Sequence, residues 1–101
     1  MKFVYCTCNL SKKEEVIKTL ENAGILDYQI IDEVPAKPML GSPRLNTAVW
    51  PGYNCIILMQ FSDDKAADNI MKRLKTMNTE AENKAELITA CSLPMDDYFY
   101  E

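Results

Sequence analysis

The sequence contains no histidine among its 101 residues, which removes the commonest general base and the most frequent metal ligand. Ser-His and Cys-His nucleophilic arrangements are therefore excluded as well. Glycine and proline are scarce, with three and five residues, and hydrophobic residues make up 48 %, so the composition is neither fibrous nor disordered. With no catalytic constellation in view, we expect a protein that is not an enzyme and has no catalytic residues.

Basic residues are also in the minority. Eleven Lys and Arg against fifteen Asp and Glu give a formal charge of -4, which argues against nucleic acid as a partner. The opening MKFVYCTCNLSKKEE turns polar after a short apolar run, so it is neither a signal peptide nor a membrane span. Since nothing marks export, we expect a cytoplasmic protein without membrane insertion, whose four cysteines are reduced thiols.

The residues that are present fit one domain over 1–101 with six elements in the order β-α-β-β-α-β. A capping box of Ser11 and Glu14 marks the start of the first helix. The pattern predicts helices at about 11–23 and 62–77 and strands at 2–8, 26–34, 52–61 and 85–93. This order is ferredoxin-like, so we expect an α+β domain in which two helices cover one face of a four-stranded antiparallel sheet.

The third predicted strand is apolar on both of its faces. Ile56 and Leu58 point one way, and the residues that point the other way are Tyr53, Cys55, Ile57, Met59 and Phe61. A strand of this kind is buried on both sides, yet both helices are expected on one face. An uncovered apolar sheet favours aggregation, so we expect further copies of the chain to cover it.

Loop 35–51 shows no periodicity, and loops of this length are usually functional or mobile. After Lys37, Arg44 is its only charged residue, suited either to an anionic ligand or partner carboxylate or to solvent. Trp50 is either the wall of a cleft or a packing anchor. Asn54 is the polar exception in an apolar strand, so its amide must be hydrogen-bonded, either to hold the loop or to face a ligand.

The stretch GSPRLNTAVWPGYNCIILMQF resembles a bacterial subgroup of the PII-like signalling superfamily. In that subgroup a glycine-containing loop runs into Trp-Pro-x-x-Asn and a hydrophobic strand, and the matching positions are Gly41, Trp50, Pro51 and Asn54. The resemblance implies a homotrimeric regulatory or sensor protein whose sheets face inward around a three-fold axis.

The resemblance also implies roles for the loop. Loop 35–51 corresponds to the T-loop, which contacts a partner such as a transporter or an enzyme, and small ligands lie in clefts between subunits. The residues expected to serve the ligand or the partner are Lys37, Gly41, Arg44, Trp50 and Asn54.

The sequence departs from the superfamily after the second helix. Nucleotide-binding members have a glycine-rich loop there, whose backbone amides hold phosphates. Here the stretch is NTEAENKAEL, which has no glycine and three glutamates, so phosphates would meet repulsion and no backbone nest. Adenine-nucleotide binding is therefore doubtful, and the cofactor is unknown.

Two alternatives stay open. Cys6 and Cys8 form a C-x-C on one strand face, which also fits a soft-metal-binding or metal-tolerance trimer, although buried free cysteines are common core residues. A dimeric α+β barrel enzyme would cover the same sheet, but the missing histidine weighs against it. The tail, 95–101, is aromatic and acidic and has no predicted structure.

Overall fold

The computed structural model describes all 101 residues. Its helices and strands are β1 (Lys2–Asn9), α1 (Lys13–Asn22), β2 (Gln29–Val34), β3 (Asn54–Phe61), α2 (Asp64–Thr79) and β4 (Thr89–Pro94). The strands form one antiparallel sheet in the order β2-β3-β1-β4. The expected ferredoxin-like βαββαβ fold is confirmed.

The starts of α1 and β4 differ from the prediction because short 3-10 turns precede both elements. The cap before α1 is not Ser11, because the side chain of Asn9 accepts a hydrogen bond from the Ser11 amide one turn earlier. Before β4, Asn83 and Glu86 form a capping box, so residues expected in the strand form a turn and the strand begins at Thr89.

One hydrophobic core lies between the helices and the sheet. The sheet contributes Val4, Cys6, Cys8, Cys55, Ile57, Met59 and Phe61, Ile88 precedes β4, and the helices contribute Val16, Leu20, Ala67, Ile70 and Leu74. The helical residues recur at intervals of three and four, so they form one stripe on each helix. Both helices therefore lie on the face of the sheet that carries Val4 and Ile57.

The opposite face of the sheet is apolar as well, and we call it the open face. On β1 it carries Phe3 and Tyr5, whose side chains point away from the core. The residues of the other strands that share this face are Ile31, Ile56, Leu58, Cys91 and Leu93. Ile31 and Leu93, on the two outer strands, are 48 % and 46 % exposed. The prediction that β3 is apolar on both faces is therefore confirmed.

The tail, residues 95–101, has no regular structure, and its hydrogen bonds reach the residues just before β1 and just before β2. The Met95 amide donates to the carbonyl of Met1 at 3.1 Å, and the Tyr98 hydroxyl donates to Asp27 Oδ2, just before β2, at 3.1 Å. Phe99 remains 83 % exposed. No helix of the protein has the length and apolar character needed to cross a membrane.

A bulge ends β2 where the long loop begins. From Ile31 to Val34 this strand advances three residues, while β3 advances only two, from Ile56 to Asn54. Glu33 within the bulge has a φ of +59°, in the left-handed region. A bulge bends its strand and increases its twist, so it sets the direction in which the chain leaves β2 opposite Asn54.

Candidate functional site

A backbone pair divides loop 35–51 into two closed turns. The Ala36 amide donates to the Arg44 carbonyl at 2.9 Å, and the Arg44 amide donates to the Ala36 carbonyl at 2.7 Å. Residues 37–43 form the first turn, with Met39 97 % exposed at its tip. In the second turn, the Leu45 amide donates to the Trp50 carbonyl at 3.1 Å. The loop therefore has internal hydrogen bonds although its sequence shows no periodicity.

Arg44 is buried beneath this loop, with 6 % of its surface exposed. Its Nη1 donates to Asn54 Oδ1 at 2.8 Å, and its Nη2 donates to the carbonyl of Ala85 at 3.2 Å. Asn54, itself 4 % exposed, donates from Nδ2 to Thr7 Oγ1 at 3.1 Å. Arg44 is therefore not a solvated loop residue, and the Asn54 amide holds the arginine side chain.

The charge of Arg44 has no counter-ion within the chain. Its acceptors are an amide oxygen and a backbone carbonyl, and it takes part in none of the ion pairs. A guanidinium stays protonated in proteins, and burying a charge without an opposite charge is costly. An anion that reaches Arg44 would therefore gain a strong charge-assisted interaction.

A cleft of about 640 Å³ opens beside Arg44 at the root of the loop. Its walls come from both turns of the loop, the end of β1 and the turn before β4, and they include Asn9, Gly41, Arg44, Trp50, Gly52 and Lys84. Gly41 has a φ of +92°, and a Cβ built on it would lie 3.5 Å from the Lys84 Cβ. Loop and turn thus approach closely, and two cationic side chains share one cleft.

The structure gathers most of the predicted site residues here. Gly41, Arg44 and Trp50 line the cleft, and Asn54 lies behind Arg44 as its hydrogen-bond acceptor. Lys37 is exposed and does not line the cleft. Sequence reasoning missed Lys84 because the stretch NTEAENKAEL was judged by its missing glycine and its glutamates, although it contains one lysine.

The three glutamates of that stretch lie outside the cleft. Glu80, Glu82 and Glu86 line a separate depression that also includes Lys12. The Glu86 carboxylate accepts from the Glu82 amide at 2.7 Å and lies 3.8 Å from the Lys12 ammonium group. These carboxylates therefore do not line the cleft, and the turn beside it contains no glycine.

The two cysteines of the C-x-C pair lie in the core. Cys6 and Cys8 are buried on the helix side of the sheet, and no group of three or more His, Cys, Asp or Glu side chains is placed to hold a metal ion. Burial raises the pKa of Cys6 to about 12. The soft-metal alternative at Cys6 and Cys8 stays a prediction.

Comparison with known proteins finds solved structures with a similar fold. Neither a protein-family model nor a curated protein sequence matches the chain. A protein assigned as PII-like signalling from Thermus thermophilus is 21 % identical with a TM-score of 0.62, over 91 % of this chain and 83 % of that one.

CPII from Thiomonas intermedia K12, a nitrogen regulatory PII-like protein bound to ADP, AMP and bicarbonate, is 13 % identical with a TM-score of 0.65, over 91 % and 90 % of the two chains. The apo form of CPII gives a TM-score of 0.63 at 14 % identity, over 91 % and 87 %. At such low identities the likeness concerns the fold, which this chain shares with PII-like regulatory proteins.

Proposed function

We propose that this protein is a PII-like regulatory or sensor protein, which binds a small oxyanion at the root of loop 35–51 and thereby alters the contact of the loop with a partner protein. The observation that carries the proposal is the buried guanidinium of Arg44, which lines the cleft without a carboxylate partner. The fold shared with PII-like proteins supports the regulatory class. Assignment to the Trp-Pro-x-x-Asn subgroup stays a prediction.

The ligand we propose is bicarbonate or a small carboxylate of similar shape. Arg44 and Lys84 make the cleft locally positive, and a guanidinium can bind a planar oxyanion through two hydrogen bonds. CPII, whose fold is similar, was solved with bicarbonate bound. An adenine nucleotide is the less favoured ligand because the turn at Lys84–Glu86 lacks the glycines of a phosphate-binding loop.

The loop tips supply a surface for the partner. Met39, Leu40 and Val49 are 97 %, 54 % and 74 % exposed, and apolar side chains of this kind are suited to a pocket on another protein. Arg44 connects this surface to the cleft, because its backbone closes the first turn while its side chain lines the cleft. A transporter or an enzyme is the class of partner we propose.

The open face supports a homotrimer as the assembly. Phe3 and Tyr5 and the β3 residues Ile56 and Leu58 form an apolar surface that the helices leave uncovered. We expect the Leu58→Glu variant to give the mass of a folded monomer in multi-angle light scattering. The matched control is Lys18→Glu on the exposed surface of α1, which should keep the mass of the wild type. A monomeric wild type would contradict the proposed assembly.

The ligand is tested by titrating bicarbonate at fixed pH and ionic strength while the emission of Trp50, the single tryptophan, is recorded. Chloride serves as the reference anion and ADP is titrated separately. Arg44→Met should weaken bicarbonate binding roughly 10- to 100-fold, the value of one charge-assisted hydrogen bond. Arg73→Met, which changes the other arginine of the chain on an exposed part of α2, should bind as the wild type does.

Two outcomes would overturn the proposal. One is a wild-type protein whose calorimetric and fluorescence titrations show no binding of bicarbonate or acetate. The other is equal affinity in the wild type and in both Arg44→Met and Lys84→Met, once circular dichroism has shown that the variants are folded.

A further inference from the structure

The structure brings two thiols into direct contact away from the cleft. Cys8 on β1 and Cys55 on β3 are opposite each other in register, and their Sγ atoms are 3.6 Å apart. Both residues are almost fully buried. Directly opposed residues in antiparallel strands have Cα atoms about 4.5 to 5.5 Å apart, a range that disulfides span.

We infer that Cys8 and Cys55 are a redox modification site, at which a peroxide converts the opposed thiols into a disulfide. The other two cysteines have no such neighbour. Cys6 is opposite Ile57 on one side and Ala90 on the other, and Cys91 is on the open face. The pair is thus the one place in the chain where two thiols are already in contact.

The surroundings of the pair distinguish the two sulfurs. Either sulfur can donate in this contact. With the Cys8 thiol as donor, the hydrogen bond lowers the pKa of Cys55, whereas the same hydrogen bond and burial raise the pKa of Cys8. The charged groups near Cys55 are Lys13, which favours its thiolate, and Asp32, which opposes it. As part of this proposal we take Cys55 as the attacking sulfur and Cys8 as the resolving one.

The reaction proceeds in two balanced steps. The Cys55 thiolate attacks one oxygen of hydrogen peroxide, the O–O bond breaks, and a sulfenic acid forms while hydroxide leaves and takes up a proton. The Cys8 sulfur then attacks the Cys55 sulfur, the S–O bond breaks, and a second water leaves with the Cys8 proton. Two thiols lose two electrons and one peroxide is reduced to two waters.

The location of the pair couples it to the polar contacts of the loop. Thr7 directly precedes Cys8 and Asn54 directly precedes Cys55. Asn54 accepts a hydrogen bond from the Arg44 side chain and donates one to Thr7. Drawing the sulfurs from 3.6 Å to bonding distance moves both cysteine side chains, each one peptide unit from Thr7 or Asn54. Oxidation therefore acts on the hydrogen bond between Asn54 and Thr7 through one peptide unit on each strand.

The test uses a Cys6→Ala/Cys91→Ala variant, in which Cys8 and Cys55 are the remaining thiols. Treating the folded protein with hydrogen peroxide also adds oxygen to exposed methionines such as Met39. Beside that addition it should remove two hydrogens, about 2 Da, on disulfide formation, and dithiothreitol should restore these two hydrogens. The matched control is Cys8→Ala/Cys91→Ala, which also keeps two cysteines but separates them. It should lose no hydrogens.

The outcomes decide between the alternatives. Retention of both thiol hydrogens while the protein is folded, or oxygen added to Cys8 or Cys55 in place of a disulfide, would overturn the redox site. If the double variant does not fold, peptide mapping of the oxidised wild type takes its place, and a Cys8–Cys55 linked peptide is then the expected product. An unchanged Trp50 emission after oxidation would overturn the coupling to the loop. None of these measurements uses a ligand, so they are independent of the proposed function.

Discussion

The hydrogen bond between Arg44 and Asn54 should dominate the stability of the loop root, and Asn54→Ala tests this directly. The change removes the oxygen that accepts from Arg44 Nη1 at 2.8 Å and the donor to Thr7 at 3.1 Å. A hydrogen bond to a charged group contributes about 1.5–3 kcal/mol and a neutral one about 0.5–1.5 kcal/mol. We therefore expect Asn54→Ala to lower the free energy of unfolding by about 2–4 kcal/mol.

Arg44→Met makes the complementary change. It leaves Asn54 Oδ1 and the Ala85 carbonyl without their donor, at a cost of about 1–3 kcal/mol, but it leaves no buried charge behind. In the double variant the bond between the two side chains is removed only once. The loss of unfolding free energy in the double variant should therefore be smaller than the sum of the two single losses by about 1.5–3 kcal/mol.

The free energy of unfolding of the wild type, the two single variants and the double variant is measured by urea unfolding, which is followed by circular dichroism. Because the proposed self-assembly would make the apparent stability depend on concentration, the protein concentration is held constant throughout. Arg73→Met, on the exposed side of α2, should change the free energy of unfolding by no more than about 0.5 kcal/mol. Single changes whose costs add within about 0.5 kcal/mol would refute the reasoning, because the two side chains would then be energetically independent.

Three further predictions concern the backbone, pH and redox state. Gly41→Ala should cost about 1–2 kcal/mol in urea unfolding from backbone strain at φ +92°, because its Cβ has ordinary contact with Lys84; no change would refute this strain. The N-terminal ammonium group donates to Asp64 at 2.8 Å and lowers the pKa of that carboxyl from 3.8. The pair therefore stabilises the protein above pH 3.8, and the difference between wild type and Asp64→Asn should vanish as the pH falls through the lowered pKa. A disulfide between Cys8 and Cys55, 47 residues apart, should raise the free energy of unfolding by up to about 4 kcal/mol, so an unshifted urea midpoint would contradict it.

The fold was predictable because its signals are local. Apolar spacing of three and four residues identified both helices, and the apolar residues on both faces of 54–61 identified a strand with a core side and a second apolar side. The first residues of α1 and β4 were less predictable, because in each case a nearby asparagine also favours a turn. Asn9 took the capping role assigned to Ser11, and Asn83 with Glu86 formed a turn where a strand was expected.

The candidate site was predictable in its residue types but not in its arrangement. Asn54 was singled out as a polar residue in an apolar strand, and Arg44 as a lone charge in a long loop. That the two form one hydrogen-bonded pair depends on how the loop folds back over β3. The acceptor at Ala85 lies 41 residues from Arg44, and no local pattern reports such a contact.

The strand order has a consequence for how the chain folds during synthesis. β1 is made first, yet it lies in the interior of the sheet, and its two neighbours are β3 (Asn54–Phe61) and β4 (Thr89–Pro94). Every strand pairing of β1 is therefore distant in sequence, which slows folding because the connecting chain must close before those contacts form. Until residue 94 has left the ribosome, one edge of β1 has no partner. We therefore expect the apolar residues of β1 to stay partly uncovered until β4 has been synthesised.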